Sequence, residues 1–127
     1  MSRVTKGRNN EHRSIAYLAK RGFIALRASA SKGAGGTDVI GANLTTGEVR
    51  IVQSKSNHHY GSADIELLRT LVRSTNAPNV QFELHDWYDS YRHPIITVIG
   101  HDKSQDKVII TDPKMRIFLQ CLNETSS

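Results

Sequence analysis

The chain has a single cysteine, Cys121, among 127 residues. An internal disulfide and a cysteine-based zinc cluster are therefore excluded. Cys121 falls in an apolar helical pattern, which reads as a core thiol in a reducing, cytoplasmic location. No apolar run approaches the roughly 18 residues of a membrane span, and no apolar signal core follows the basic N-terminal residues. With no repeat, low-complexity tract or interior linker, a single domain over residues 9–127 is expected, preceded by a flexible basic arm, 1–8. Acids are scarce in one half. Residues 1–55 carry ten Lys or Arg against Glu11, Asp38 and Glu48, so this half holds +7 of an overall +5 and the remainder −2. Such asymmetry points to a polyanion partner. The candidate contacts are Arg3, Lys6, Arg8, Arg13, Arg27 and Lys32; a generally solvated basic surface is the plainer alternative. An anionic membrane is not favoured, because no basic stretch has a strongly apolar opposite face.

What is present reads as alternating elements. Asn9 or Asn10 caps a helix that runs to about Arg21 and stops at Gly22. Its Glu11, Ile15, Leu18 and Ala19 share one face, which places a carboxylate on the buried side of the first turn. A strand follows at 23–28, then a polar, glycine-rich loop at 29–36. Two strands, 37–42 and 49–55, flank a turn. Asp38 shares a face with Ile40 and Ala42, and Gln53 and Lys55 share one with Val49 and Ile51. Pairing of these strands would gather Asp38, Gln53 and Lys55 at one end of a sheet.

A second helix fits 63–76, capped by Ser62, with Ile65, Leu68, Leu71 and Val72 as its apolar stripe. The strand at 80–87 should run parallel to 49–55, since a helix crosses between them. Segments 94–100 and 107–111 read as an antiparallel pair. Asp112-Pro113 opens a last helix with Met115, Phe118, Leu119 and Leu122 on one face. The order is α-β-β-β-α-β-β-β-α.

Glu11, Asp38 and Gln53 would supply two carboxylates and a carboxamide oxygen, an all-oxygen shell suited to Mg²⁺. Lys55, two residues from Gln53 on the same face, could orient an attacking water and stabilise charge on a pentacovalent phosphate. These are the needs of phosphodiester hydrolysis. Asp-x(14)-Gln-x-Lys is by itself a weak pattern, because acids and lysines at strand ends are usually solvated. Glu11 weighs more, since an unpaired buried carboxylate is costly. Elsewhere, "GAGG" is no P-loop, as no Gly-Lys-Ser/Thr follows. His12 and His85 lack spaced zinc partners. His58-His59 reads as a solvated pair or a DNA contact, and Trp87, Tyr88 and Tyr91 as core, interface or a stacking platform.

The segment "NNEHRSIAYLAKRGFIALRASASKGAGGTDVIGA…VRIVQSKS" resembles the archaeal-type Holliday junction resolvases and their small phage and bacterial relatives, within the PD-(D/E)xK nuclease superfamily. The likeness covers roughly residues 7–87. It implies a restriction-endonuclease-like αβββαβ core with a mixed central sheet, followed here by a C-terminal β-hairpin and helix. It also implies a prokaryotic or phage-encoded, Mg²⁺-dependent endonuclease (Mn²⁺ substituting) that acts on branched DNA as a homodimer. Carried over by position, Glu11, Asp38 and Gln53 are the metal-binding residues and Lys55 the catalytic lysine. Ser31 matches a serine near the scissile strand, and Arg27 a basic residue close to it. Thr37 stands where the motif's name has proline, and Gln53 replaces the usual Glu. Either the metal shell has one neutral member, or Asp64 or Glu66 reaches in as the missing acid. A DNA-binding module that has lost catalysis, and a sequence-specific endonuclease of restriction or homing type, are the alternative functions.

Overall fold

The computed structural model describes residues 3–28, 38–89 and 91–114, with side chains from residue 9 onward. Helix α1 spans Arg3–Ala19. The backbone of residues 3–8, expected as a flexible arm, thus continues the helix, and Glu11 lies mid-helix rather than in a first turn. Gly22, at φ +89°, ends the helical turn in the left-handed region that glycine enters without penalty. Strands β1 (Ile24–Arg27), β2 (Val39–Ala42) and β3 (Val49–Ser56) follow, then α2 (Ser62–Ser74), β4 (Val80–Trp87), β5 (Ile95–Val98), a 3₁₀ turn and β6 (Lys107–Ile110). One sheet holds all six strands in the order β1-β2-β3-β4-β5-β6. Every pairing is antiparallel except β3–β4, which is parallel as the intervening helix requires. The last helix expected from residue 113, with Met115, Phe118, Leu119 and Leu122, lies outside the described residues beyond Lys114, as does Cys121.

Alternation along β3 sends Val52 to the α1 side of the sheet and Ile51 to the α2 side. On the α1 side, Leu18, Phe23, Val39 and Val52 form a buried cluster. On the α2 side the cluster is Leu68, Val72, Phe82, Leu84 and Ile99, with Ile51, Ile65 and Leu71 partly buried against it. The stripe read on the second helix is therefore the one that packs. Ser62 is its first helical residue rather than its cap; Gly61 takes that position, and its N–H donates to Asp64 Oδ2 at 3.0 Å.

The buried face of α1 differs from expectation. Ala19 is exposed, and the fully covered positions are Asn10, Ser14 and Leu18, spaced four apart. Two of these are polar because the sheet beneath them is polar. Ser14 Oγ lies 3.0 Å from His85 Nδ1 and accepts the Trp87 indole N–H at 2.9 Å, while Asn10 hydrogen-bonds Ser56. His85 Nε2 meets Glu83 Oε1 at 2.9 Å, and Glu83 also takes Gln81 Nε2 at 2.6 Å. Burial alone would raise the Glu83 carboxyl, but His85, Gln81 and Arg50 outweigh it and hold it below the ordinary range. A buried serine, histidine and glutamate in this order resemble a hydrolytic triad. With Ser14 and His85 wholly inaccessible, they instead fix α1 against β4.

Candidate active site

Asp38 sits one residue before β2, whose Val39 pairs with Val52, the residue before Gln53 on β3. Its N–H donates to Val52 O at 2.8 Å and its O accepts from Ala28 N at 2.8 Å, so the backbone is held on both sides. Its side chain turns back onto β3, where Oδ2 accepts the Ser54 N–H at 2.7 Å. Burial pushes the Asp38 carboxyl up; the Ser54 N–H and Lys55 oppose this, and the Glu11 charge adds to it. The field at Asp38 thus carries the signatures of both Glu11 and Lys55.

Gln53 is 3% exposed, and among the described residues its Oε1 has no hydrogen-bond partner. An orphaned carbonyl oxygen in the interior costs roughly 1–3 kcal/mol. It shares the α2 side of the sheet with Lys55, whose Nζ lies 3.3 Å from Asp64 Oδ1. From α1, Glu11 Oε2 accepts Arg27 Nε at 2.7 Å. A half-buried carboxylate whose ionised form burial disfavours, an amide oxygen without a partner among the described residues and a second carboxylate whose charge is felt at the first fit a hard divalent cation. Among the described residues no three His, Cys, Asp or Glu form a group that could hold a metal ion.

The two acids weighed as substitutes on α2 part company. Asp64 is at the site, but engaged with Lys55; the Gly61 N–H foremost, with Lys55, holds its carboxyl below the ordinary range. Glu66 points away and pairs with Arg69 Nε at 3.1 Å. Ser31 and Lys32 lie outside the described residues, and of Arg3, Lys6 and Arg8 only the backbone is described. Arg13 is not beside the acids. Its guanidinium stacks 4.3 Å over Trp87 and donates to Tyr91 O at 2.6 Å. Trp87 and Tyr88 are buried, so neither offers a stacking platform.

Beyond the motif, Asp86 adjoins Lys55 across the parallel β3–β4 pair and is 2% exposed. Its Oδ1 accepts the His58 N–H at 2.9 Å and its Oδ2 lies 3.5 Å from His58 Nδ1. Burial, with Asp86 adding, pushes the Tyr60 hydroxyl up to about 12. Asn57 and His58 occupy successive left-handed conformations, φ 49° and 62°, uncommon for non-glycine residues. The Trp87 carbonyl, which accepts Asn57 N at 2.8 Å, and the Asp86 carboxylate hold that turn. Sequence pattern carried no signal for Asp86, since an acid in "FELHDW" reads as an ordinary strand residue. A cavity of about 520 Å³ lies at the opposite end of the sheet, beside Arg50, Asn79 and Gly100. It is remote from Lys55 and has none of the motif residues in its lining.

No protein-family model matches the chain, and no curated protein matches it. Its fold is similar to that of a solved structure, Hjc, a Holliday junction resolvase from the archaeal hyperthermophile Archaeoglobus fulgidus. The TM-score is 0.53, identity is 17%, and the match covers 84% of each chain. The likeness is one of fold: among the described residues, a six-stranded mixed sheet with two helices.

Proposed function

We propose that the chain is a Mg²⁺-dependent endodeoxyribonuclease that resolves four-way DNA junctions as a homodimer. The observation that carries this reading is the buried Oε1 of Gln53, without a partner among the described residues, next to the Val52 that Asp38 hydrogen-bonds and two residues before Lys55. The likeness to a resolvase fold supports it by analogy. Glu11, Asp38 and Gln53 would hold the cation, and Mn²⁺ should substitute. When bound, the metal supplies a lowered pKa for its water and polarises the phosphoryl oxygen.

The protein groups do the rest. Lys55, oriented by Asp64, orients the attacking water and offsets the charge that builds on the equatorial oxygens as water oxygen bonds phosphorus and the ester P–O bond breaks. Arg27 would position Glu11 through its Nε hydrogen bond to Oε2, and Ser31 would meet the scissile strand. Resolution requires cuts at two symmetric places, which a C₂ pair of sites provides. A second reading, a DNA-binding module without catalysis, is favoured by one feature: Glu11 and Lys55 each already have an ion-pair partner. A gel separates the readings. Labelled four-way junction and matched linear duplex are incubated with Mg²⁺ or with chelator. Metal-dependent cutting of the junction alone is expected. Binding without cutting under Mg²⁺ or Mn²⁺ would favour the module instead.

A further inference from the structure

Along α1, Arg13, Ala16, Tyr17 and Lys20 fall on one side of the helix and form one wall of a cleft of about 140 Å³. Two residues turn a helix by about 200°. Glu11 therefore faces β1 and the acid site, while Arg13 faces β4 and this cleft. The opposite wall is Trp87 with Arg92 and His93, from the connection between β4 and β5.

The chemistry of the lining is one-sided. It includes Arg13, Lys20, Arg21 and Arg92, with His93, and no acid. The acid whose charge is felt at Arg13 is Asp89, outside the lining. Aromatic rings, not carboxylates, hold two of the cations in place: Arg13 over Trp87 at 4.3 Å, and Arg21 over Tyr17 at 3.5 Å. Arg21 also donates to Tyr17 O at 3.0 Å, and Arg13 to Asn10 Oδ1 at 3.2 Å and Tyr91 O at 2.6 Å. Stacking and carbonyl contacts orient a guanidinium without neutralising it. With four cations in the lining and Asp89 acting on Arg13 from outside it, the cleft wall itself presents positive charge to an outside anion. From Arg13 to Lys20 the cations run about 10 Å along the helix. A small anion would meet only part of that row, whereas a nucleic-acid backbone presents phosphates in series.

We propose that this cleft is a second DNA-backbone site, which seats phosphates of a duplex arm on the β4 side of α1, beyond the strand held at Asp38. The inference rests on the nuclease reading only for DNA as the partner. It adds that grip on the substrate extends across the helix from the acids. Lys20 and Arg92 are exposed, and the cleft lining holds none of Glu11, Asp38, Gln53 and Lys55, so their substitution tests the cleft apart from the acid site.

The test compares Lys20→Glu/Arg92→Glu with Lys103→Glu/Lys107→Glu, an equal charge change on exposed residues at the β5–β6 connection and β6. Binding of a long-armed junction is titrated in chelator across a salt series, with a thermal melt of each variant. The cleft pair should weaken binding about tenfold and lower the salt slope by about 2, as loss of two phosphate contacts requires. The control pair should bind nearly as wild type. Lys20→Gln/Arg92→Gln should lower the slope similarly with less repulsion, and serves if the reversal variant melts early. A wild-type slope in both cleft variants, or equal losses in the control pair, would overturn the inference while leaving the nuclease reading intact. Wild type that binds no DNA would remove both.

Discussion

Gln53 is buried because β3 is central in the sheet, and its oxygen is unpartnered because nothing on the neighbouring strands donates to it. If it serves as a neutral ligand, Gln53→Glu should retain cleavage and tighten Mg²⁺ binding, measured by calorimetric titration. Weaker binding in that variant would remove Gln53 from the shell. If Lys55 acts as proposed, on charge that develops only in the transition state, it should matter to turnover far more than to affinity. Lys55→Ala should bind junction within a few-fold of wild type, and single-turnover cleavage should fall on the order of 10²–10³-fold. Full-rate cutting by that variant would place the chemistry elsewhere. Asp64 contacts Lys55 and not the acids, so Asp64→Ala should leave Mg²⁺ affinity unchanged while slowing cleavage. Loss of metal binding would show that Asp64 is itself a ligand.

At the scale of elements, two polar ties hold helices to the sheet. Arg69 of α2 is 3% exposed and reaches Asp106 through two hydrogen bonds, 3.0 and 2.9 Å, with a third to Gly100 O at 3.1 Å. Removing Asp106 leaves the buried guanidinium with only the exposed Glu66 and the Gly100 carbonyl. Asp106→Ala should cost about 3 kcal/mol in urea unfolding at neutral pH. Burial alone would raise the Asp106 carboxyl, but Arg69 and the Gly100 N–H outweigh it and hold it below 3.8, its ordinary value. A carboxyl lowered in the folded state stabilises fully above its unfolded value, and the gain fades as pH falls through the folded one. The gap between wild type and Asp106→Asn should therefore be constant near neutrality and shrink below about pH 4. A gap independent of pH down to acid unfolding would show that the charge on Asp106 contributes nothing. Under α1, Ser14→Ala should cost about 2 kcal/mol by leaving the Trp87 N–H and His85 Nδ1 unpaired.

For the whole molecule, the uneven charge becomes a spatial fact. Arg13, Lys20, Arg21 and Arg27 all belong to α1, its C-terminal turn or β1, so the first half is basic on more than one side of the helix. Junction affinity should accordingly fall steeply with salt, with a log–log slope proportional to the phosphates contacted. A flat salt dependence would dismiss a polyanion partner. Two sites are needed for paired cuts, so sedimentation of the active protein should give a dimer; an active monomer would contradict paired, symmetric resolution.

The element order as far as β6, the parallel β3–β4 pair and the apolar stripe of α2 were legible in the sequence, because hydrophobic periodicity and turn residues are local signals. The motif itself was also legible: a period of two places Gln53 and Lys55 on one face before any tertiary contact is known. The polar underside of α1 was not. Asn10 and Ser14 look like solvent-facing residues until Ser56, His85 and Trp87, some 46 to 73 positions away, are brought beneath them. Nor could the sequence choose between Asp64 and Glu66, two residues apart on one helix. Only packing turns one toward Lys55 and gives the other to Arg69. Local pattern determines which face a side chain leaves from. What it meets there depends on contacts distant in sequence, and those only the tertiary structure decides.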